Sequence, residues 1–311
     1  MKKINVLSLF DGIAGAYVAL ERAGFEINKY YSSEIDKYAM GIANFNNPDI
    51  VQLGDIDNWK NWNIEWNNID LLIGGSPCQN LSQAGDGAGL NGKKSKLFFT
   101  FIDIKNYLMS TNKNAYFLLE NVKMQKKWQN IMTRHIGFEP ILINSSLVSA
   151  QNRKRLYWSN FPIEQPEDRN ILLKNIVLNK TYLDINAVIE IDKLIHSKEA
   201  LVYMNKNVSG GRNHWDFLHH SDIKNEKSST VVANFFKGVP YNVLKDWECV
   251  RKFHPIEVER LQTFPDGYTE YYFKNHKLLN TSSTQRLKTL GNSFTVDVIA
   301  HILVYLRKDL K

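Results

Sequence analysis

The stretch INVLSLFDGIAG, residues 4–15, decides the fold, because an apolar run passes there into a glycine-containing turn. The run 4–9 predicts a strand buried on both faces, as in parallel sheets covered by helices on either side. Residues 15–23 predict a helix that ends at Gly24, where a left-handed cap residue is favoured. Because the turn lacks the Gly-x-Gly-x-x-Gly spacing, on its own it fits the strand-to-helix turn of any doubly wound protein.

Short apolar runs alternate with helical patterns up to about residue 161, which predicts an α/β fold with a doubly wound sheet. After residue 161 this rhythm is lost in polar loops and short strand-like runs such as residues 229–234. Helical character returns at residues 295–306. We therefore predict one large domain from residues 1–161 and 283–311, and a smaller domain from residues 162–282. In the large domain, we predict further strands at 30–33, 70–74, 115–119 and 140–147, and helices at 96–109 and 122–136.

The composition is that of a soluble globular protein, with 43% hydrophobic and 23% charged residues among 311. A net charge of +7 favours a polyanionic partner, although many proteins with such a charge bind none. The two cysteines, Cys78 and Cys249, have no metal-ligand spacing, so we expect no metal and a reducing, cytoplasmic setting. No apolar run approaches the roughly 18 residues of a membrane span, so we expect no membrane partner.

Acidic residues follow two of the early strands. Glu34 lies about 20 positions beyond the glycine turn, where folds of this kind bind ribose hydroxyls. The alternative for residues 33–36 is a solvated helix N-cap. Asp55 follows the next strand, where its carboxylate can accept a hydrogen bond from an adenine amino group.

A thiol and a carboxyl group follow two later strands. Cys78 ends the run GGSPC, residues 74–78, at the carboxyl edge where open parallel sheets bind ligands. A lone cysteine is more often a buried hydrophobic residue than a nucleophile, but this placement favours the nucleophile. Glu120 follows the strand at 115–119 and reaches the same edge. It is either a charge at a helix N-terminus or the acid that works with the thiol.

These residues resemble those of the cytosine carbon-5 DNA methyltransferases, and the matching blocks follow the family's order over nearly the whole chain. The ordered set is specific, whereas no single block is. The cysteine loop and Lys96-Leu-Phe-Phe look most like the de novo type and its phage and bacterial relatives. Asp11 and Ala14 stand where many members have Ser and Gly, and Ile35 stands where some have Trp. The blocks are Phe10-Asp-Gly-Ile-Ala-Gly15, Glu34, Asp55, Pro77-Cys78-Gln79, Glu120-Asn121-Val122, Gln151-Asn-Arg153-Lys-Arg155, Glu259-Arg260-Leu261-Gln262-x-Phe264-Pro265 and Gly291-Asn292-Ser293.

The resemblance implies a Rossmann-like mixed sheet that binds S-adenosylmethionine, with a smaller target-recognition domain. It implies transfer of a methyl group to carbon 5 of a cytosine flipped out of duplex DNA. Cys78 would be the nucleophile and Glu120 the acid, with Arg153 and Arg155 beside them; Arg155 would hold the cytosine carbonyl oxygen. A thiol pKa of about 8.5 requires nearby positive charge for activation, which these arginines can supply. The cofactor residues would be Phe10, Gly12, Ile13, Gly15, Glu34, Ile35, Asp55, Ile56, Pro77, Leu97, Asn292 and Ser293.

Residues expected at the DNA are Gln79, Ser82, Gln151, Arg212 and Thr230, and we expect a monomer encoded by a bacterium or phage. Without the other blocks, residues 151–155 fit a solvated basic turn. The nearest rival is a tRNA cytosine methyltransferase, whose cysteine loop usually begins Pro-Pro-Cys rather than the Ser-Pro-Cys found here. A catalytically silent DNA-binding regulator is the rival from another class, but both Cys78 and Glu120 are present.

Overall fold

The computed structural model describes residues 3–77, 96–178, 188–189, 223, 226–237, 243–246 and 249–309. Its main element is a seven-stranded sheet in the order β3-β2-β1-β4-β5-β7-β6. All pairs are parallel except those of β7, which runs antiparallel to both β5 and β6. The predicted doubly wound mixed sheet is therefore confirmed. The strands are β1 Ile4–Leu9, β2 Ile27–Ser33, β3 Ile50–Gln52, β4 Leu71–Gly75, β5 Tyr116–Val122, β6 Ile141–Asn144 and β7 Lys154–Ser159.

Helices cover both faces of this sheet, because neighbouring residues of each strand bury opposite sides. Val6 and Leu118 belong to one apolar cluster, whereas Leu7 and Leu119 belong to the other. The first cluster holds α1 and α8, and the second holds α3 and α4. The helices are α1 Gly15–Arg22, α2 Lys37–Asn46, α3 Lys96–Thr111, α4 Lys126–Ile136, α5 Leu173–Ile176, α6 Pro255–Leu261, α7 Ser283–Asn292 and α8 Val296–Asp309.

Three sequence predictions differ from the structure. The strand β7 was not predicted, because its first two residues, Lys154 and Arg155, suggested a basic turn. The helix predicted from residue 122 begins at Lys126, since β5 continues to Val122. Residues 229–234 form no strand: Ser228 makes an isolated bridge to Gln151, and residues 233–237 form a 3-10 helix.

Two smaller sheets lie within residues 188–280. One has the strand order β8-β10-β9, with β8 Val188–Ile189, β9 Val243–Asp246 and β10 Cys249–Lys252. The other is a hairpin of β11 Tyr271–Lys274 and β12 Lys277–Asn280. Buried side chains from this part of the chain, including Val231 and Phe264, join the same apolar cluster as α1. The boundary of a smaller domain at residues 162–282 stays a prediction.

The C-terminal helices complete the large sheet's packing. Val296, Ile299, Leu303 and Leu306 of α8 are fully buried, as the predicted apolar face requires. By length and composition the segment Ser283–Lys308 is apolar enough to cross a membrane, although the sequence predicted no membrane span. Its most apolar window is 72% buried inside the protein, as for a core helix.

Candidate active site

The predicted site residues collect at the carboxyl edge of the large sheet, where β1, β2, β4 and β5 end. Parallel α/β sheets bind ligands at this edge, beside the point where the strand order reverses. Here the order reverses between β1 and β4. A depression of about 570 Å³ lies at the opposite edge and is lined by polar residues such as Asn5, Asn68 and Asn114. It contains none of the predicted site residues.

The glycine turn after β1 is built from residues in left-handed conformations. Phe10, Gly12 and Ala14 have φ values of 56°, 61° and 60°. Such angles are ordinary for Gly12 but uncommon for the other two, so surrounding contacts must hold them. The backbone N–H of Gly12 donates to Glu34 Oε2 over 2.9 Å. The carboxylate of Glu34 thus ties the turn to the end of β2.

A buried carboxyl group supports this turn from beneath. Asp11 is 3% exposed, and its Oδ1 accepts hydrogen bonds from Ser8 Oγ at 2.5 Å and Tyr30 Oη at 2.6 Å. Burial raises the pKa of Asp11, while these hydrogen bonds oppose the shift. The hydroxyl of Tyr268 donates to the carbonyl of Ile13 over 2.9 Å. Two tyrosines from distant parts of the chain therefore help to position the turn.

The expected cofactor residues differ in how exposed their side chains are and in what they contact. Ile35 is 69% exposed, which is unusual for a large apolar side chain beside a sheet edge. Asp55 is exposed and caps a 3-10 helix, accepting a hydrogen bond from the Asp57 N–H at 2.9 Å. Ile13 and Gly15 are buried. The apolar cluster that contains α3 and α4 also includes the side chains of Phe10, Ile56 and Leu97.

The segment after α7 approaches the same turn. An added Cβ on Gly15 would lie 3.1 Å from Ser293 Oγ, so the two segments are in contact. Ser293 Oγ is buried and, in the described part of the chain, has no hydrogen-bond partner. Asn292, the last residue of α7, is exposed. The structure therefore brings Ser293 to the glycine turn although 278 positions separate it from Gly15 in sequence.

The chain just after β4 is anchored by Asn121, an asparagine of the Glu120-Asn121-Val122 block to which the motif assigns no role. Asn121 Nδ2 donates to Ser76 Oγ over 3.0 Å, and both residues are buried. Ser76 directly precedes Pro77, which is half-buried and is the last described residue before the thiol. Cys78 itself, with Gln79 and Ser82, lies outside the described residues.

Glu120 and Arg155 form an ion pair across β5 and β7. Arg155 Nε lies 3.0 Å from Glu120 Oε1, and their side chains are 13% and 12% exposed. An added Cβ on Gly75 would lie 3.1 Å from Glu120 Oε2, so the glycine at the end of β4 leaves room for this carboxylate. Burial, and then the Glu120 charge, raises the pKa of Tyr157, which faces Glu120 in the β5–β7 register. The carboxylate thus lies beside an arginine and a neutral phenol.

Arg153 is held by protein carbonyl groups. It is 4% exposed and donates to Val231 O at 2.5 Å and to Ser293 O at 2.9 Å. Burial, together with the charge of Arg155, lowers the pKa of Arg153 to about 9, while Glu120 opposes the shift. Its Nε is buried and has no hydrogen-bond partner among the described residues.

Two of the residues expected at DNA also contact protein. Gln151 is fully buried and donates to Leu261 O at 2.6 Å and to Gln262 Oε1 at 2.8 Å. The hydroxyl of Thr230 donates to Asn152 O. Arg212 lies outside the described residues. In the described part of the chain, no group of three or more His, Cys, Asp or Glu side chains is placed to hold a metal ion.

Comparisons with known proteins identify the family of this chain. A model of the family described as C-5 cytosine-specific DNA methylase matches residues 4–308. The type II methyltransferase M.NlaX of Neisseria lactamica is 28% identical over 325 residues, which cover 98% of this chain and 97% of that protein. The orphan methyltransferase M.Rho11sI of Bacillus phage rho11s is 35% identical over 170 residues, covering 50% of this chain and 33% of that protein.

Solved structures share the fold. The Entamoeba histolytica methyltransferase EhMeth aligns with a TM-score of 0.72 at 17% identity, covering 100% of both chains. The Dnmt2 methyltransferase of S. pombe aligns with a TM-score of 0.67 at 16% identity, covering 99% of this chain and 100% of that chain. Because the family match spans the glycine turn, the sheet edge and the C-terminal helices, the chain belongs to the family of C-5 cytosine-specific DNA methylases.

Proposed function

We propose that this protein methylates carbon 5 of a flipped cytosine in duplex DNA, using S-adenosylmethionine and a covalent adduct to Cys78. The observation that carries the proposal is the Glu120–Arg155 pair at the sheet edge from which the Cys78 loop departs. The family match and the relatives named type II methyltransferases support a DNA substrate. The same relatives come from bacteria, which supports a bacterial or phage setting in the cytoplasm.

Three features of the described residues fit S-adenosylmethionine. An added Cβ on Gly12 would meet no atom of the described residues within 4 Å, so these residues leave space against the backbone of the turn. Ser293 Oγ is a buried polar atom without a partner, and Ile35 exposes an apolar surface next to Glu34. We propose that Glu34 binds the ribose hydroxyls, that Asp55 accepts from the adenine amino group, and that Asn292 and Ser293 hold the methionine end. The bound cofactor supplies an electrophilic sulfonium methyl group.

The other cofactor residues act through packing or through the backbone. Phe10, Ile56, Leu97 and Pro77 are proposed as apolar walls. Ile13 and Gly15 are buried, so their proposed role is to shape the turn. We propose that Arg153 and Gln151 are positioning residues for the nucleophile and for the target base, and that they do not contact DNA directly. Both side chains bind protein carbonyl groups.

The chemistry proposed for the chain's own residues begins with flipping of the base, because carbon 6 is unreachable inside the stack. The Cys78 thiolate then adds to carbon 6, while Glu120 shares a proton with ring nitrogen 3. This addition raises electron density at carbon 5 and so divides a hard step into two easier ones. Once carbon 5 carries the methyl group, loss of its proton to a base and elimination of Cys78 restore the double bond between carbons 5 and 6. Arg155, already oriented by Glu120, donates to the cytosine carbonyl oxygen, for which a planar guanidinium is suited.

Two further functions were weighed. A tRNA cytosine methyltransferase has weaker support: the structures that align here are under 20% identical and bear on the fold alone, while the named curated relatives include type II methyltransferases. A silent DNA-binding regulator would have no need for the ion-paired Glu120 opposite Arg155. We propose contacts to DNA at Gln79, Ser82, Arg212 and Thr230.

The experiment is the substitution Cys78→Ser, which should abolish turnover while duplex binding survives, because a hydroxyl provides no accessible anion for the addition. Wild-type protein should also form a covalent adduct with duplex containing 5-fluorocytosine, whose fluorine is not eliminated as the proton is. Denaturing gels detect the adduct, and bisulfite sequencing of DNA from expressing cells locates the methylated cytosine.

The matched control is Cys249→Ser, which should leave turnover and adduct formation unchanged. Turnover at the wild-type rate in Cys78→Ser, or no adduct with wild-type protein, would contradict the mechanism. Methylation of tRNA instead of duplex DNA would support the rival substrate.

A further inference from the structure

A closed ring of hydrogen bonds joins the two sides of the proposed site. Gln262 is fully buried and donates through Nε2 to Ser293 O at 3.3 Å, while its Oε1 accepts from Gln151 Nε2 at 2.8 Å. Gln151 Oε1 in turn accepts from the N–H of Val231 at 3.1 Å. The carbonyl of Val231 accepts from Arg153, whose other terminal nitrogen donates to Ser293 O. The path then returns to Gln262.

The members of this ring come from different parts of the active site. Val231 follows Thr230, on the side proposed to receive the target nucleotide. Ser293 carries the hydroxyl that is proposed to contact the cofactor and has no hydrogen-bond partner among the described residues. Arg153 lies two residues before Arg155, the proposed contact to the base. The ring thus connects the segment of a proposed cofactor contact with the segment of a proposed target contact.

The side-chain amide of Gln262 makes hydrogen bonds with both its nitrogen and its oxygen, in addition to those within the ring. Its Nε2 also donates to Leu290 O at 2.8 Å, and its Oε1 also accepts from Thr295 Oγ1 at 3.0 Å. A glutamine amide has two N–H donors and an oxygen with two acceptor sites, and here both donors and both acceptor sites are engaged. Buried networks in which every group is satisfied specify one arrangement of the chain, because any shift leaves a costly unpaired group.

We infer that Gln262 is a positioning residue that couples cofactor binding to target binding by holding Ser293 and Val231 in one arrangement. The inference rests on the proposed function, since it takes the cofactor and the duplex as its two ligands. A ligand that fixes Ser293 restricts Gln262 and Arg153, and both restrict the Val231 segment. Duplex binding should therefore strengthen cofactor binding, and by linkage the effect is reciprocal.

The test is a thermodynamic cycle measured by calorimetry. The affinity for S-adenosylhomocysteine, which carries no methyl group to transfer, is measured with and without duplex containing the cytosine located by bisulfite sequencing. We expect the duplex to raise that affinity by about fivefold or more in wild-type protein, within the usual range of site coupling. In Gln262→Met, which keeps the side-chain length but removes all four hydrogen bonds, the ratio should fall clearly below the wild-type value, because only Arg153 then joins Ser293 to Val231.

The matched control is Gln285→Met on α7. It is the same substitution, and the side-chain oxygen of Gln285 is buried without a hydrogen-bond partner among the described residues. Its coupling ratio should equal that of wild-type protein. If Gln262→Met does not fold, Gln151→Met opens the same ring at another bond and should give the same loss of coupling.

Wild-type coupling that persists in a folded Gln262→Met or Gln151→Met variant would overturn the inference, as would a wild-type ratio of about one. Either result leaves the proposed function standing, provided that wild-type protein binds S-adenosylhomocysteine and methylates duplex cytosine. Absence of both activities in wild-type protein would instead contradict the proposed function.

Discussion

The substitution Gly291→Ala tests whether the C-terminal helices position the cofactor site. An added Cβ at Gly291 would lie 2.2 Å from Val232 O, 2.5 Å from its carbonyl carbon and 2.8 Å from Ala233 N. Ordinary contacts begin at 3.4 Å, so the shortfall is 3.4 − 2.2, or 1.2 Å. All three opposing atoms belong to the backbone, so α7 and the segment at residues 232–233 must move apart.

The magnitude follows from two opposing effects. Overpacking of this kind costs about 1–3 kcal/mol, and more where backbone cannot yield. The higher helix propensity of alanine offsets at most about 1 kcal/mol of this cost. We therefore expect a net loss of about 1–2 kcal/mol, which at roughly 2–4 °C per kcal/mol lowers Tm by about 2–8 °C. Because Ser293 follows two residues later, affinity for S-adenosylmethionine should fall by about tenfold, equivalent to about 1.4 kcal/mol.

The neighbouring substitution Asn292→Ala is the matched control. Asn292 is exposed, so its loss should change stability by no more than about 0.5 kcal/mol, while the cofactor still binds more weakly. Scanning calorimetry and titration calorimetry on both variants separate the two effects. A Gly291→Ala variant with wild-type Tm and wild-type cofactor affinity would refute the close approach of α7 to residues 232–233.

Two further predictions concern the buried carboxyl group and the catalytic arginine. Burial raises the pKa of Asp11, so the folded state holds the Asp11 proton more tightly than the unfolded chain does. The free energy of unfolding therefore decreases as pH rises from the ordinary pKa of 3.8 through the raised value. Asp11→Asn keeps an acceptor for Ser8 and Tyr30. The Tm of this variant minus the Tm of wild-type protein should therefore increase as pH rises through that window. A Tm difference that is independent of pH would contradict the assignment. Arg155→Gln should reduce turnover more than duplex affinity. The slope of log affinity against log salt concentration should stay at its wild-type value, whereas loss of one phosphate contact would change that slope by about 0.9. An equal loss of non-specific duplex binding would make Arg155 a phosphate clamp instead of a contact to the base.

Several elements were predictable because local sequence determines them. Four of the six residues from Ile4 to Leu9 are apolar and they lie on both faces of the strand, as expected for a strand covered on both sides. Gly24 and Gly137 adopt positive φ values at helix ends, where glycine has no steric penalty. The strand β7 was missed because Lys154 and Arg155 at its start suggested a basic turn, and its pairing with β5 and β6 is not specified by the local sequence.

The sequence by itself determined the order of the motifs, and with it the family, the sheet and the candidate residues at its carboxyl edge. Only the tertiary structure decided how those residues are used. It paired Glu120 with Arg155 and bonded Asn121 to Ser76. It also buried Gln151 against Gln262. These contacts join residues up to 111 positions apart, and no local pattern specifies which amide faces which carbonyl when the chain closes on itself.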